Sequence, residues 1–178
     1  MEYQLRAFCS NDGVAVNQIA LAAFEEYRHQ YDDWDAFSRI IGNMASLHEV
    51  GELIVATVRE QIVGAVVYVG PGVEKGPYFS AEWPIMRMLV VSPRYRGHGI
   101  GRSLAGECIR RANRDGAPLI ALHTTPIMTV ALPMYERLGF KCQKETPKIF
   151  GVPYRVYVKE LNAQQGATAD AKTRVAER

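Results

Sequence analysis

A layered α/β fold around a partly antiparallel sheet is what this sequence predicts, on three observations. Strand-type and helical segments alternate along most of the 178 residues, the pattern expected of helices layered on a sheet. Residues 52–59 and 62–69 are rich in β-branched side chains and separated only by Glu60 and Gln61, which predicts an antiparallel hairpin. A strongly apolar strand at 85–92 passes through a glycine turn into a helical stretch and then another strand, so a right-handed crossover with parallel neighbours is expected there.

The elements follow in chain order. Residues 3–8 alternate as a short strand, after which Ser10, Asn11 and Asp12 offer oxygens for a helix cap. Val16, Ile19, Ala20, Ala23, Phe24 and Tyr27 recur at helical spacing. A second helix is expected from Asp33 or Asp35 toward His48, carried by Phe37, Ile40, Ile41 and Met44 and closed near Gly51. After the hairpin, residues 70–84 hold three glycines, three prolines and three aromatics, a long loop with bulky groups on it. Beyond the strand at 85–92, Ile100, Leu104, Ala105, Cys108, Ile109 and Ala112 form one helical face that Gly116 ends. A short strand at 119–122 and a helix at 128–138 follow, with Gly139 as the terminator. Two last strands, 140–148 and 154–161, flank a turn at Gly151, Val152 and Pro153. The order is β-α-α-β-β-β-α-β-α-β-β. Residues 1–161 are expected to form one domain, and residues 162–178, without apolar periodicity, a disordered tail.

Composition narrows the function classes. A formal net charge of +2 gives little long-range attraction to nucleic acid or an anionic membrane. Attraction for phosphate must then be local, and positive charge is densest over residues 94–114. No apolar run reaches the roughly 18–20 residues a bilayer requires, and the start MEYQLRAFC has neither the basic nor the apolar part of a secretory leader. A cytoplasmic location is the resulting expectation. Cys9, Cys108 and Cys142 are odd in number and widely spaced, and His29, His48, His98 and His123 show no paired ligand spacing. No metal site is expected.

Residues 94–102, RYRGHGIGR, set three glycines among three arginines at the carboxyl end of a strand and the start of a helix. The first turn of a helix leaves backbone N–H groups without partners, and bare backbone lets an anion approach them. Arg94 and Arg96 would add charge-assisted hydrogen bonds. Spacing decides among phosphate ligands. A P-loop needs Lys and then Ser or Thr after its second glycine, whereas Arg102 and Ser103 follow Gly101. A dinucleotide fingerprint needs a third glycine where Arg102 stands.

Arg96-Gly97-His98-Gly99-Ile100-Gly101 resembles the R/Q-x-x-G-x-G/A signature of the GCN5-related N-acetyltransferase (GNAT) superfamily. Met88 to Pro93, MLVVSP, looks like that superfamily's preceding strand, and ALPMYERLGF at 131–140 resembles its second signature. The resemblance implies a mixed, mostly antiparallel sheet of about seven strands flanked by helices, with acetyl-CoA as co-substrate. It implies that backbone amides of Arg96, Gly97, His98, Gly99, Ile100 and Gly101, with Arg102 just beyond, hold the pyrophosphate. Leu89, Val90 and Val91 would lie along the pantetheine, in a cleft where that strand splays from the next. The implied reaction is direct attack of a small-molecule or peptide amine in a ternary complex, with Tyr135 as general acid, because a phenol with a pKa near 10 stays protonated at neutral pH. Glu82 and His123 are the candidate bases, each weighed against a solvated loop carboxylate and a structural histidine. The aromatics Tyr27, Tyr31, Trp34, Tyr78, Phe79 and Trp83 are candidate walls for the acceptor, and Asp32, Asp33 and Asp35 are weighed as attractors of a cationic amine or as caps. The different-class alternative is a non-catalytic acyl-CoA sensor of the same fold. Arg110, Arg111 and Arg114 read as a solvated helix face in preference to a nucleic-acid site. Neither nucleic acid nor membrane is expected as a partner, and a homodimer is left open.

Overall fold

The hairpin of residues 52–69 turns on Arg59 and Glu60, both at positive φ (47° and 68°), so that Val58 faces Gln61 directly. The two-residue reversal matches the twist of the strands it joins. Around it the computed structural model, which describes residues 1–161, builds one seven-stranded sheet. The strands are β1 (Gln4–Ala7), β2 (Glu52–Val58), β3 (Gln61–Val69), β4 (Ile85–Val91), β5 (Leu119–Thr124), β6 (Lys141–Ile149) and β7 (Val152–Glu160). Their order is β1-β2-β3-β4-β5-β7-β6, and only β4 and β5 run parallel. The helices are α1 (Gly13–Phe24), α2 (Trp34–Ile41), α3 (Ile100–Arg114) and α4 (Ala131–Arg137). The tail expected to be disordered lies outside the described residues.

Strand alternation divides the core into two layers. Val55, Ala65, Val67, Ile85, Val90 and Ala121 meet α1 and α2 on one face, while Ile54, Val63, Val66, Met86, Ile120 and Leu122 meet α3 on the other. The helical stripe read from the sequence is the buried stripe of α3: Ile100, Leu104, Ala105, Cys108 and Ala112 are almost wholly covered. Burying a side chain the size of Leu104 contributes about 1.5–3 kcal/mol, so this face fixes α3 on the sheet.

Several boundaries differ from the sequence expectation. α2 stops at Ile41, and Met44–Glu49 form a separate 3₁₀ turn after Gly42 and Asn43. Apolar spacing continues through Met44, which is why the break is invisible to periodicity. The last hairpin turns on Phe150 and Gly151, at φ 44° and 81°, and Val152 and Pro153 already belong to β7. Pro133 is the third residue of α4, where its missing N–H has no intrahelical acceptor to lose.

Candidate functional site

β4 and β5 pair at only two places, Ile85 with Ala121 and Met86 with Leu122, although β4 continues to Val91 and β5 to Thr124. The strands part beyond Met86. On its other edge β4 stays paired with β3, but two residues, Met88 and Leu89, oppose the single Val66. Met88 sits at φ 54° within this bulge. A bulge bends its strand and re-aims the following side chains, and here it turns β4 away from β5.

The gap opens into a cleft of about 610 Å³, within the roughly 300–1,000 Å³ usual for small-molecule sites. Leu89, Val90 and Val91 form its floor, Met128, Ala131, Met134 and Leu138 one wall, and Ala23, Phe24 and Tyr27 another. Arg96, Gly97, Gly99, Ile100, Gly101 and Arg102 close one end. Gly97 and Gly99 both adopt left-handed φ, 80° and 83°, which carries the chain from β4 into α3 with no Cβ over the approach. Gly99 caps α3 without a side chain, and the first intrahelical bond runs from Ser103 N–H to Gly99 C=O. The amides of Ile100, Gly101 and Arg102 therefore have no helical acceptor and face the cleft end. Apolar walls leading to uncapped amides fit a long ligand with an anionic end, as a pantetheine arm carrying a pyrophosphate is.

The Acetyltransferase (GNAT) family's sequence model matches residues 14–140. The chain belongs to the GNAT acetyltransferase family. A Pyrococcus horikoshii protein, 18% identical, superposes with a TM-score of 0.71 over 90% of this chain and 99% of its own. A Corynebacterium glutamicum protein described as histone acetyltransferase HPA2 and related acetyltransferase is 22% identical, with a TM-score of 0.69 over 90% and 97%. The Salmonella typhimurium yncA protein, solved with acetyl-CoA, is 17% identical, with a TM-score of 0.65 over 97% and 100%.

Within this GNAT fold the residues singled out from the sequence fall in several places. Leu89, Val90, Val91, Gly97, Gly99, Ile100, Gly101 and Arg102 line the cleft. His98 is exposed and turns back on the backbone, its Nδ1 2.9 Å from the carbonyl oxygen of Arg96. Arg96 donates to the Glu26 carboxylate and, at 3.0 Å, to the carbonyl oxygen of Ala23. Its guanidinium thus ties the turn to the end of α1. Arg137 also reaches the cleft and, like Arg102, makes no ion pair among the described residues. The sequence signal for Arg137 was its place two residues after Tyr135 in the second signature.

Tyr135 is buried, its ring edge-on to Phe140 at 6.0 Å between centroids. It is not among the residues lining the cleft. Burial, and secondarily Cys108, raises its phenol above the ordinary value near 10, so it remains protonated. His123 lies within β5 and projects on the α1/α2 side, enclosed by Tyr78, Phe79 and Tyr154. Burial first and Arg87 second lower its pKa to about 4. Glu82 is exposed on the loop, where the Ser80 hydroxyl holds its carboxyl below the ordinary range. It does not line this cleft.

The aromatics divide likewise. Tyr27 walls the cleft, whereas Tyr31 stacks on Phe37 at 3.9 Å and shares a 2.7 Å hydroxyl contact with Tyr154. Asp33 caps α2, accepting from Ala36 N–H at 2.9 Å. Arg110, Arg111 and Arg114 pair with Glu107, Glu52 and Asp115. Among the described residues no helix is long and apolar enough to cross a membrane.

Proposed function

We propose that the protein transfers an acetyl group from acetyl-CoA to the primary amine of a small molecule or peptide. The observation that carries this reading is the parting of β4 from β5 directly beside the uncapped first turn of α3. Bound acetyl-CoA would supply an activated thioester. The amides of Ile100, Gly101 and Arg102 hold its pyrophosphate, with Arg102 and Arg137 adding charge, and Leu89 to Val91 align its amide-bearing arm along the open strand edge.

In the transfer, the neutral amine nitrogen bonds to the thioester carbon and the carbon–sulfur bond breaks. The nitrogen loses a proton, and the departing thiolate receives one, for which the donor is the hydroxyl of Tyr135, buried on α4 next to the cleft-lining Met134, once bound acetyl-CoA brings the sulfur to it. A phenol held protonated by burial suits that task. His123, neutral and near the parted strands, is better placed than Glu82 to accept the nitrogen's proton, though with a pKa of about 4 it is a weak base. Thiol release from acetyl-CoA across a panel of amines tests the reading. Acetyl-CoA binding with no thiol release from any amine would favour the non-catalytic sensor.

A further inference from the structure

A second pocket, of about 590 Å³, lies beneath α2 and the 3₁₀ turn of Met44–Glu49, against the same strand that floors the cleft. Arg87 and Met88 of β4 contribute to it, and Leu89 opens to the cleft on the other side. The two sites are therefore back to back across the bulge. Arg87 and Leu89 are two residues apart, about 6–7 Å along a strand, so a small molecule seated here has a short path to the parted strands.

The lining has a definite chemistry. Met44, Leu47, Ile40 and Met88 are apolar, and the two charged side chains, Arg39 and Arg87, are both cationic. Among the described residues no carboxylate is in the lining. Asp35 stands one helical turn before Arg39, yet neither arginine forms an ion pair or a side-chain hydrogen bond among the described residues. Arg39 and Arg87 are both exposed, and the atoms packed around Arg87 lower its pKa, as for a guanidinium with no counter-ion beside it among the described residues. A planar guanidinium binds a carboxylate through two parallel hydrogen bonds.

We propose that this pocket seats the acceptor and that Arg87 with Arg39 binds its carboxylate, so the acceptor is a small amine carrying a carboxylate and an apolar body. An amino acid with an aliphatic side chain has that chemistry. The inference rests on the acetyl-transfer reading of the adjoining cleft. It gives no role to Asp32, Asp33 and Asp35, none of which lines this pocket, the Asp33 carboxylate capping α2.

The test is thiol release from acetyl-CoA with matched amines: leucine against leucinamide, and phosphoethanolamine against ethanolamine. Leucine should exceed leucinamide in kcat/KM by about tenfold or more, as expected for a charged hydrogen-bonded pair. That ratio should fall toward one in Arg87→Gln and drop partway in Arg39→Gln. Comparing ratios between proteins cancels the difference in amine basicity. Preference for leucinamide, a ratio unmoved in both variants, or acceptance of only the phosphate-bearing amine would overturn the proposal. Should no amine release thiol, the transfer reading fails, and calorimetry of N-acetyl-leucine and N-acetyl-leucinamide with CoA-loaded protein still decides the pocket. Tighter binding of the carboxylate, lost in Arg87→Gln, sustains it; equal binding overturns it.

Discussion

His123 Nε2 lies 2.7 Å from Thr146 Oγ1, whose single proton goes to the Tyr154 carbonyl oxygen at 3.1 Å. The threonine oxygen can therefore only accept from the ring, which fixes the neutral tautomer with its proton on Nε2 and leaves Nδ1 the basic atom. The imidazole is held neutral down to about pH 4, against an ordinary value of 6.5. The unfolded chain binds this proton more readily, so the stability it contributes is present above pH 6.5 and is lost as pH falls through 4. His123→Gln should flatten part of the fall in denaturation midpoint between neutral pH and pH near 4. Identical pH dependence in both proteins would show that His123 titrates normally.

Gly99 and Gly101 make opposite predictions although they are two residues apart. Gly99 sits at φ 83°, so Gly99→Ala should destabilise the protein by about 1–2 kcal/mol and weaken acetyl-CoA binding by shifting the amides of α3. A methyl group at Gly101 would meet Met134 Sδ, Val91 and Leu89 at 3.5–3.7 Å, ordinary contact distances. Gly101→Ala should stabilise by up to about 1 kcal/mol through helix propensity. Urea midpoints of the two variants, one lowered and one raised, check the pair.

Most of this architecture was legible because it rests on local signals. The apolar stripe of α3, the seven strands and the glycine turn are each set by residues within a dozen positions of one another. What the sequence concealed is non-local. The bulge at Met88 exists only against Val66, and it is what turns Arg87 toward α2 and Leu89 toward the cleft. The tie of Arg96 to Ala23 and Glu26, 73 and 70 residues away, is equally invisible to the motif that marks it as a phosphate ligand. Tyr135 was found by its motif, but its enclosure by Phe140 and Cys108 depends on how α4 packs.

The Arg96 tether gives a prediction with a direction. If its guanidinium serves to hold the turn against α1, Glu26→Ala and Arg96→Ala should both weaken acetyl-CoA binding. Each should act by up to about fivefold, the scale of a partly exposed ion pair. The double variant should be no worse than Arg96→Ala, since both break one link. Were Arg96 instead to contact the pyrophosphate, removing Glu26 would free it and tighten binding. Calorimetric titration of the three variants with acetyl-CoA distinguishes these outcomes.

Tyr135 is tested by removing one atom. Tyr135→Phe keeps the ring against Phe140 and takes away only the hydroxyl, so the fold and the cleft should survive. A general acid lost from the transition state should cost turnover about 100-fold or more, while acetyl-CoA affinity stays within about twofold because the hydroxyl contributes little to holding the ground state. With the phenol raised above its ordinary value, turnover of the native protein should also show no alkaline loss below about pH 10 from this group. Unchanged turnover in Tyr135→Phe would assign the ring to packing alone and leave the departing thiolate to be protonated by water.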